Sequence, residues 1–435
     1  MKILLAPWGD PTRWKPIYYS MGSHKERSIS TLSILSKCYD KVFILVLDSL
    51  IDISPDENSN LYNEYKCTIY EANKRENLRY NDMVDAISSF VKKVVGTLSN
   101  SVEVGEKFEI IVLPSFGSPG GVTTFKGKPE DYISIGLIKI SKKLQSFDNI
   151  TDISVDLTNG LNFIAGLTIK MAEQLSDLTL MKNTTENGIS VEYYNSDPYS
   201  PSNKEKEHII RTVLKDRKNK IIFPYLSLKE DSKGLMNKND DSNSNDEYKK
   251  INKYYNNYVP NVIKSLYYPF PLILKYYAGK EMEMCDKILN LWEDGICISG
   301  NEINRHLNIN QKKLFALMFA NIVLKKMTAD YSIDCIDQEA KNIYPKISEI
   351  GSILINKEIN HIKNALAALR TNSVNSENYG KLFFSGPNQL VNKKSLPDKR
   401  ILIAHAGFQN DFVEIFKNGD VKYTEEIETI LNAVG

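Results

Sequence analysis

Over its first 200 residues the chain alternates short apolar stretches with longer amphipathic ones. Lys2–Ala6, Val42–Leu47, Ile110–Leu113, Ile153–Asp156 and Ser190–Tyr194 read as short strands buried on both faces. Cys67–Tyr70 is a weaker sixth. Between them Ser28–Lys37, Asn81–Leu98, Asp131–Leu144 and Gly160–Leu175 space their apolar residues as helices do. Strands alternating with helices predict a parallel, doubly wound sheet.

The pattern then changes. Residues 229–259 are polar and low in complexity, which predicts a mobile loop or an insertion between domains. From Val262 onward the spacing is helical. The run from Gly300 to Lys313 suggests a helix–turn–helix: a short helix, an Asn-rich turn at Asn308–Asn310, and a second helix from Gln311. Such a unit reads DNA or serves as a helical spacer. The second helix carries Leu314, Phe315, Leu317, Met318 and Phe319, an apolar rather than basic face, which favours the spacer. Ala340–Arg370 is one long helix or a kinked pair, followed by a Gly- and Asn-rich loop. Phe412–Phe416 and Val421–Tyr423 flank Asn418-Gly419, a hairpin signal, and a last helix runs from Thr424 to about Ala433. The expected fold class is α/β plus α. Its boundaries are an α/β domain at 1–228, an insertion and helical linker at 229–335, and a helical domain with a small hairpin at 336–435.

Composition narrows the function without naming it. At 435 residues, with 42% hydrophobic and 25% charged, the chain has room for two or three ordinary globular domains. A net charge of +1 gives no global attraction to nucleic acid, so any nucleic-acid site must be a local patch. The five cysteines form no CxxC pair, which fits a reducing cytoplasm. Met1-Lys-Ile-Leu-Leu-Ala runs straight into Pro7-Trp-Gly-Asp10, unlike a secretory leader, and no apolar run is long enough for a bilayer.

Six strands in about 195 residues fit a Rossmann-like domain. Ligands of open parallel sheets sit beyond the carboxyl ends of the strands. Three loops fall there. After the first strand, Gly9, Asp10, Arg13 and Trp14 mix small, charged and aromatic groups suited to phosphate and base. After Ile110–Leu113, Ser115, Phe116, Gly117 and Ser118 let backbone amides approach a ligand. After the fifth strand, Thr158, Asn159, Gly160 and Asn162 lead into a helix whose free amides favour an anion. None of these is a Walker A loop, and the first turn lacks GxGxxG, which disfavours a dinucleotide enzyme.

Near the end, Arg400 and His405 stand five positions apart on an otherwise apolar stretch. Arg grips phosphate through a planar fork, and His exchanges protons near neutral pH. With nine Arg and five His, about 0.1 such pairs would arise by chance, so spacing alone makes only a hypothesis. Ser395 and Asp398 resemble a capping box, and Gly407 sits where a helix stops. On one helix the two side chains would be about 140° apart, so they converge through the length of Arg or across a dimer. A solvated Arg and a core His remain the plain alternative.

Arg400-Ile-Leu-Ile-Ala-His405-Ala-Gly407 resembles the Arg-x4-6-His signature of HEPN ribonucleases, and its Ala-His-Ala-Gly ending resembles the CRISPR-associated members. Those proteins join a Rossmann-like CARF sensor to a C-terminal HEPN nuclease. Asp156-Leu-Thr158-Asn159-Gly160-Leu-Asn162 resembles the CARF motif Asp-x-Thr-His-Gly-x-Asn, with Asn159 where many relatives carry His. The resemblance implies a cytoplasmic endoribonuclease of type III CRISPR antiviral defence. Its substrate would be single-stranded RNA and its catalytic residues Arg400 and His405. It would use no metal and no cofactor and leave 2′,3′-cyclic phosphate ends. The twelve loop residues named above would bind an allosteric activator, cyclic oligoadenylate, with cyclic tetra-adenylate the commoner choice. A ring with two-fold symmetry suits a homodimer or an assembly of dimers. Relatives often follow the Arg with a polar residue; Ile401 here implies low basal activity. The rivals are a ligand-responsive transcription regulator using the linker, a dinucleotide enzyme and a purely structural dimer module.

Overall fold

The computed structural model describes residues 1–73, 78–98, 106–160, 162–184, 187–198, 206–221, 234–239, 246–280, 283–371, 398–409, 412–416, 418–424 and 426–434. In chain order the first elements are β1 (Lys2–Trp8), β2 (Ile17–Met21), β3 (His24–Ser28), α1 (Leu32–Leu35), β4 (Lys41–Leu47), α2 (Tyr62–Tyr65), α3 (Glu71–Asn73) and α4 (Tyr80–Gly96). There follow β5 (Phe108–Leu113), β6 (Thr124–Lys126), α5 (Pro129–Leu144), β7 (Asp152–Asp156), α6 (Asn162–Lys182), β8 (Ile189–Ser196), β9 (Glu207–Lys218) and β10 (Met236–Lys238). The remainder is α7 (Glu247–Tyr267), α8 (Pro271–Tyr277), α9 (Met284–Asp294), β11 (Ile296–Ser299), β12 (Glu302–Arg305), β13 (Leu307–Ile309), α10 (Gln311–Leu324), α11 (Ile333–Ile343), α12 (Glu349–Thr371), α13 (Lys399–Ala404), β14 (Val413–Ile415), β15 (Val421–Tyr423) and α14 (Ile427–Val434). Two compact units result. The first is Met1–Asn219 with Lys233–Ile251 and Met284–Phe315; the second is Lys220–Ser232, Asn252–Glu283 and Ala316–Gly435.

The first unit is built on a sheet in the order β3-β2-β9-β8-β7-β1-β4-β5. From β8 to β5 all pairs are parallel, while β9 runs antiparallel to β8 and β3 to β2. The five expected strands are this parallel core. β4 shows why they were visible: Val42, Phe43, Ile44, Leu45 and Val46 are all buried, as strands covered on both faces must be. The chain moves from β1 outward through β4 to β5, then returns to β7 on the other side of β1. The switch point therefore lies between β1 and β7.

Several expectations need correction. Cys67–Tyr70 is a π-helical turn joining α2 to α3, with only Ile69 buried within it. Four apolar or β-branched residues do not separate strand from buried helix. β2, β3 and β9 were not foreseen: His24-Lys-Glu-Arg-Ser28 and Glu207–Lys218 are largely exposed and carry little apolar alternation. Ser28–Lys37 is helical only from Leu32. The residues from Gly300 form no first helix; β11 and β12 pair antiparallel across Gly300-Asn301, with Gly300 at φ 56°. β-Branched Ile296, Ile298 and Ile303 with a Gly turn select the hairpin. Within 229–259, β10 pairs with β13 and α7 begins at Glu247; residues 229–233 and 240–245 of that segment lie outside the described residues. Ala340–Arg370 is resolved as α11 and α12 broken at Tyr344-Pro-Lys346, since proline cannot continue a helix.

One buried charge pair organises the first unit. Asp48, at the end of β4, and Arg305, at the end of β12, both have fully buried side chains and lie 2.5 Å apart. Asp48 also accepts from the Ser115 amide at 2.8 Å and hydroxyl at 2.5 Å, and from the Tyr80 hydroxyl at 3.2 Å. Arg305 donates its other arm to the Ser115 carbonyl at 2.8 Å. Removing one partner would strand a charge in the interior, so Arg305→Ala is expected to lower unfolding free energy by about 3–5 kcal/mol in a denaturant titration. Burial also raises the neighbouring Asp131 carboxyl from 3.8 to about 6. The folded chain then keeps a proton that the unfolded chain has released, so this group lowers stability as pH rises through that window. Asp131→Asn is expected to flatten that part of the stability–pH profile.

Candidate functional site

The loops after β1 and β7 meet at the switch point. The Gly9 amide donates to the Asn159 carbonyl at 2.9 Å. A Cβ on Gly160 would stand 3.3 Å from Pro7 Cγ and 3.4 Å from its carbonyl oxygen, so the absence of a side chain lets the two loops close together. Asp10 accepts from the Thr12 amide at 2.9 Å, the Thr12 hydroxyl at 2.6 Å and Arg13 Nε at 3.0 Å. Arg13 reaches on to the Ser54 carbonyl at 3.2 Å and stays exposed. Half-buried Trp14 stands edge-on to buried Trp8, with ring centroids 5.1 Å apart.

In the β7 loop Asp156 is buried and accepts from the Thr31 hydroxyl at 2.5 Å and the Thr158 amide at 3.1 Å. Burial pushes its carboxyl up, against the pull of those bonds. The Thr158 hydroxyl accepts from the Ser196 amide at 3.1 Å, and Asn159 Oδ1 accepts from the Ser30 hydroxyl at 3.2 Å. Asn162 opens α6. The β5 loop is brought beside α6 by Phe116, whose ring lies 5.1 Å from that of exposed Phe163. Gly117, at φ 77°, exchanges backbone hydrogen bonds with Phe125, and Ser118 meets Thr124 at 2.9 Å. Ser115 is buried, its hydroxyl engaged by Asp48. Gly9, Gly117 and Ser118 thus remain at the surface or half-buried, while Ser115 holds the loop from beneath. Ser30 and Thr31 were missed. Ser30 and Thr31 sit where a helix was expected, yet two hydroxyls just ahead of an apolar Leu-Ser-Ile-Leu run were a visible signal.

The second unit holds Arg400 and His405. Asp398 caps α13, accepting from the Arg400 amide at 2.8 Å and the Ile401 amide at 3.2 Å; Ser395 lies outside the described residues, as does the loop before it. Leu402 anchors the short helix while Arg400 is exposed. The helix ends at His405 (φ −104°, ψ 20°), and Ala406 (φ 48°) and Gly407 (φ 78°) follow in left-handed conformation. The Gly407 amide bonds back to the Leu402 carbonyl at 2.8 Å, closing the end of the helix.

His405 is half-exposed, and its Nδ1 lies 3.2 Å from Oε1 of Glu358, whose side chain is only 4% exposed. A carboxylate can only accept, so it selects the tautomer with hydrogen on Nδ1 and leaves Nε2 as the unprotonated nitrogen. Glu358 comes from α12. Its spacing from Ile355, Ile359 and Ile362, all buried, was the available signal: a carboxylate on an apolar helix face. Beneath the turn, a Cβ on Gly407 would meet the Tyr423 hydroxyl at 2.8 Å and Phe270 at 3.0 Å. Among the described residues no cluster of three or more His, Cys, Asp or Glu side chains is arranged to hold a metal ion, and no helix is long and apolar enough to cross a membrane.

A doubly wound sensor sheet followed by a helical unit bearing an Arg/His helix defines the class of CRISPR-associated CARF–HEPN ribonucleases, and the chain belongs to that family. The family model described as "CRISPR system endoribonuclease Csx1, CARF domain" matches residues 3–198, and the one described as "CRISPR system endoribonuclease Csx1, HEPN domain" matches residues 348–425. Across 98% of its length the chain is similar to the CRISPR system endoribonuclease Csx1 of Methanocaldococcus jannaschii, at 28% identity over 90% of that protein. The chain is an endoribonuclease of a CRISPR system.

Gly407 combines a left-handed backbone with no room for a methyl group. Gly407→Ala is therefore expected to destabilise the second unit by more than about 1 kcal/mol, read as a lowered thermal midpoint.

Proposed function

We propose that the chain is a metal-independent nuclease for single-stranded RNA, cut by Arg400 and His405 and switched on by a cyclic oligoadenylate at the loops after β1, β5 and β7. The observation that carries this reading is the contact of His405 with Glu358. A nearly buried carboxylate holding a half-exposed imidazole is what a proton-transferring histidine needs, whereas a core histidine would not present 40% of its side chain to solvent.

RNA supplies its own nucleophile. The 2′-hydroxyl oxygen bonds to phosphorus and the 5′-oxygen leaves, giving a 2′,3′-cyclic phosphate and a 5′-hydroxyl. Arg400 holds the non-bridging oxygens as negative charge builds on them. His405 takes or returns a proton through Nε2, and Glu358 stabilises the imidazolium form and fixes the ring. The two side chains project from opposite ends of a helix of six residues. A homodimer, in which two such helices face one phosphate, supplies the convergence that one helix lacks.

At the switch point Gly9, Asp10, Arg13, Trp14, Phe116, Gly117, Ser118, Thr158, Asn159, Gly160 and Asn162 contribute the ligand-facing surface, and Ser115 sets the height of its loop. A ring-shaped nucleotide on a two-fold axis would engage both copies and favour the active dimer by its differential affinity. Cyclic tetra-adenylate is the first ring to test. The transcription-regulator alternative loses ground because Leu314, Phe315, Leu317, Met318 and Phe319 of α10 are all buried.

His405→Ala is expected to reduce cleavage of single-stranded RNA by at least about 100-fold while leaving binding of cyclic tetra-adenylate intact by calorimetry. Unimpaired cleavage by that variant would remove the assignment. Glu358→Gln is expected to lower kcat about 10- to 100-fold with KM little changed. Activity should survive EDTA; a strict Mg²⁺ requirement would point to other chemistry.

A further inference from the structure

The second unit carries an open cleft of about 500 Å³ to which neither family resemblance nor the mechanism above assigns a role. It is lined by α8, the start of α11's approach, β15 and the first turn of α14. Tyr276 of α8, 43% exposed, presents its ring, with Lys280 Nζ 3.7 Å from the ring centroid. Half-buried Tyr331 stands near it, with Lys422 Nζ 5.2 Å from its centroid. Glu426 and Glu428 complete the rim. Tyr276, Tyr331, Lys422, Glu426 and Glu428 thus line one polar aromatic slot, with Lys280 covering the Tyr276 ring.

The chemistry selects its occupant. Aromatic faces stack on planar rings. The carboxylates repel a phosphate from the slot itself and accept hydrogen bonds from exocyclic amines. Lys422, on the lining, can meet a phosphate beside a base held in the slot. A cationic ligand is disfavoured because both tyrosines already carry an ammonium group. The slot also adjoins the Arg/His helix. Tyr423 lines it, and the Tyr423 hydroxyl, buried without a hydrogen-bond partner, lies where a Cβ on Gly407 would be 2.8 Å away. Gly407 is two residues beyond His405, and α14 packs against α13.

We infer that this cleft is a base-binding subsite for single-stranded RNA, stacking an unpaired nucleobase between Tyr276 and Tyr331 and preferring bases with an exocyclic amine over uracil. The inference rests on the nuclease reading of Arg400 and His405 and specifies how that nuclease would hold its substrate.

The test uses the full chain with His405→Ala, so that RNA is bound and not cut. Fluorescence anisotropy gives the Kd of labelled oligocytidylate and oligouridylate; cytidylate is chosen to avoid the adenine-directed sensor. Oligocytidylate should bind more tightly than oligouridylate. Adding Tyr276→Leu and Tyr331→Leu should weaken oligocytidylate binding about tenfold or more, and adding Glu426→Gln and Glu428→Gln should erase the preference. Lys422→Gln, at an exposed position, is the second variant should the double tyrosine change impair folding; it should weaken binding of both oligonucleotides. Unchanged Kd values in folded variants overturn the subsite. In the chain with His405 restored, the tyrosine changes should raise KM and spare kcat. Cleavage that persists in the His405→Ala chain overturns the nuclease reading, and the anisotropy data then judge the cleft by themselves. Absence of oligonucleotide binding overturns the cleft whether or not the His405 chain cuts RNA.

Discussion

A carboxylate removed from water must be met by positive charge or by several donors, and that requirement shapes the sensor unit around Asp48. Its side chain receives Arg305 from β12, both donors of Ser115 and the hydroxyl of Tyr80. Three segments far apart in sequence are thereby fixed at the carboxyl end of β4. One is the loop after β5, whose Phe116 ring meets Phe163 of α6. Another is the β11–β12 hairpin, which also pairs β12 with β6 in parallel. The sheet supplies the platform, and this buried charge decides where the loop after β5 stands on it.

The same physics acts in the second unit at smaller scale. Glu358 is nearly buried and addresses a group that is not. Its partner gains orientation and a preferred tautomer, while the exposed part of the ring stays open to solvent. Arg400 is treated differently: its amide is held by Asp398, and its side chain is left at the surface. A long flexible cation can adapt to a phosphate, whereas an imidazole must be aimed before the proton moves.

Legibility in the sequence follows burial. The parallel strands announce themselves because both faces are covered and nearly every residue must be apolar, as in Val42–Leu47. β3 and β9 lie outside that core and carry His, Lys, Glu and Arg, so no hydrophobic pattern marks them. The hairpin at Ile296–Arg305 was hidden by Asn-rich composition, and α7 by its run of Lys, Tyr and Asn, although its apolar positions are buried. At the site, Arg400 and His405 could be found because their spacing is local. Glu358 lies 47 residues from His405, and only the fold brings the two together.

The turn that ends α13 turns residue number into a ruler. Two successive left-handed residues are costly for alanine and comfortable only for glycine, so the helix stops at one place and cannot creep by a residue. Each inserted or deleted position between Arg400 and His405 would swing the guanidinium by about 100° around the axis. The angle between these two side chains is therefore fixed by where the helix terminates, and drift in its length would turn one away from the other before it cost the protein its fold.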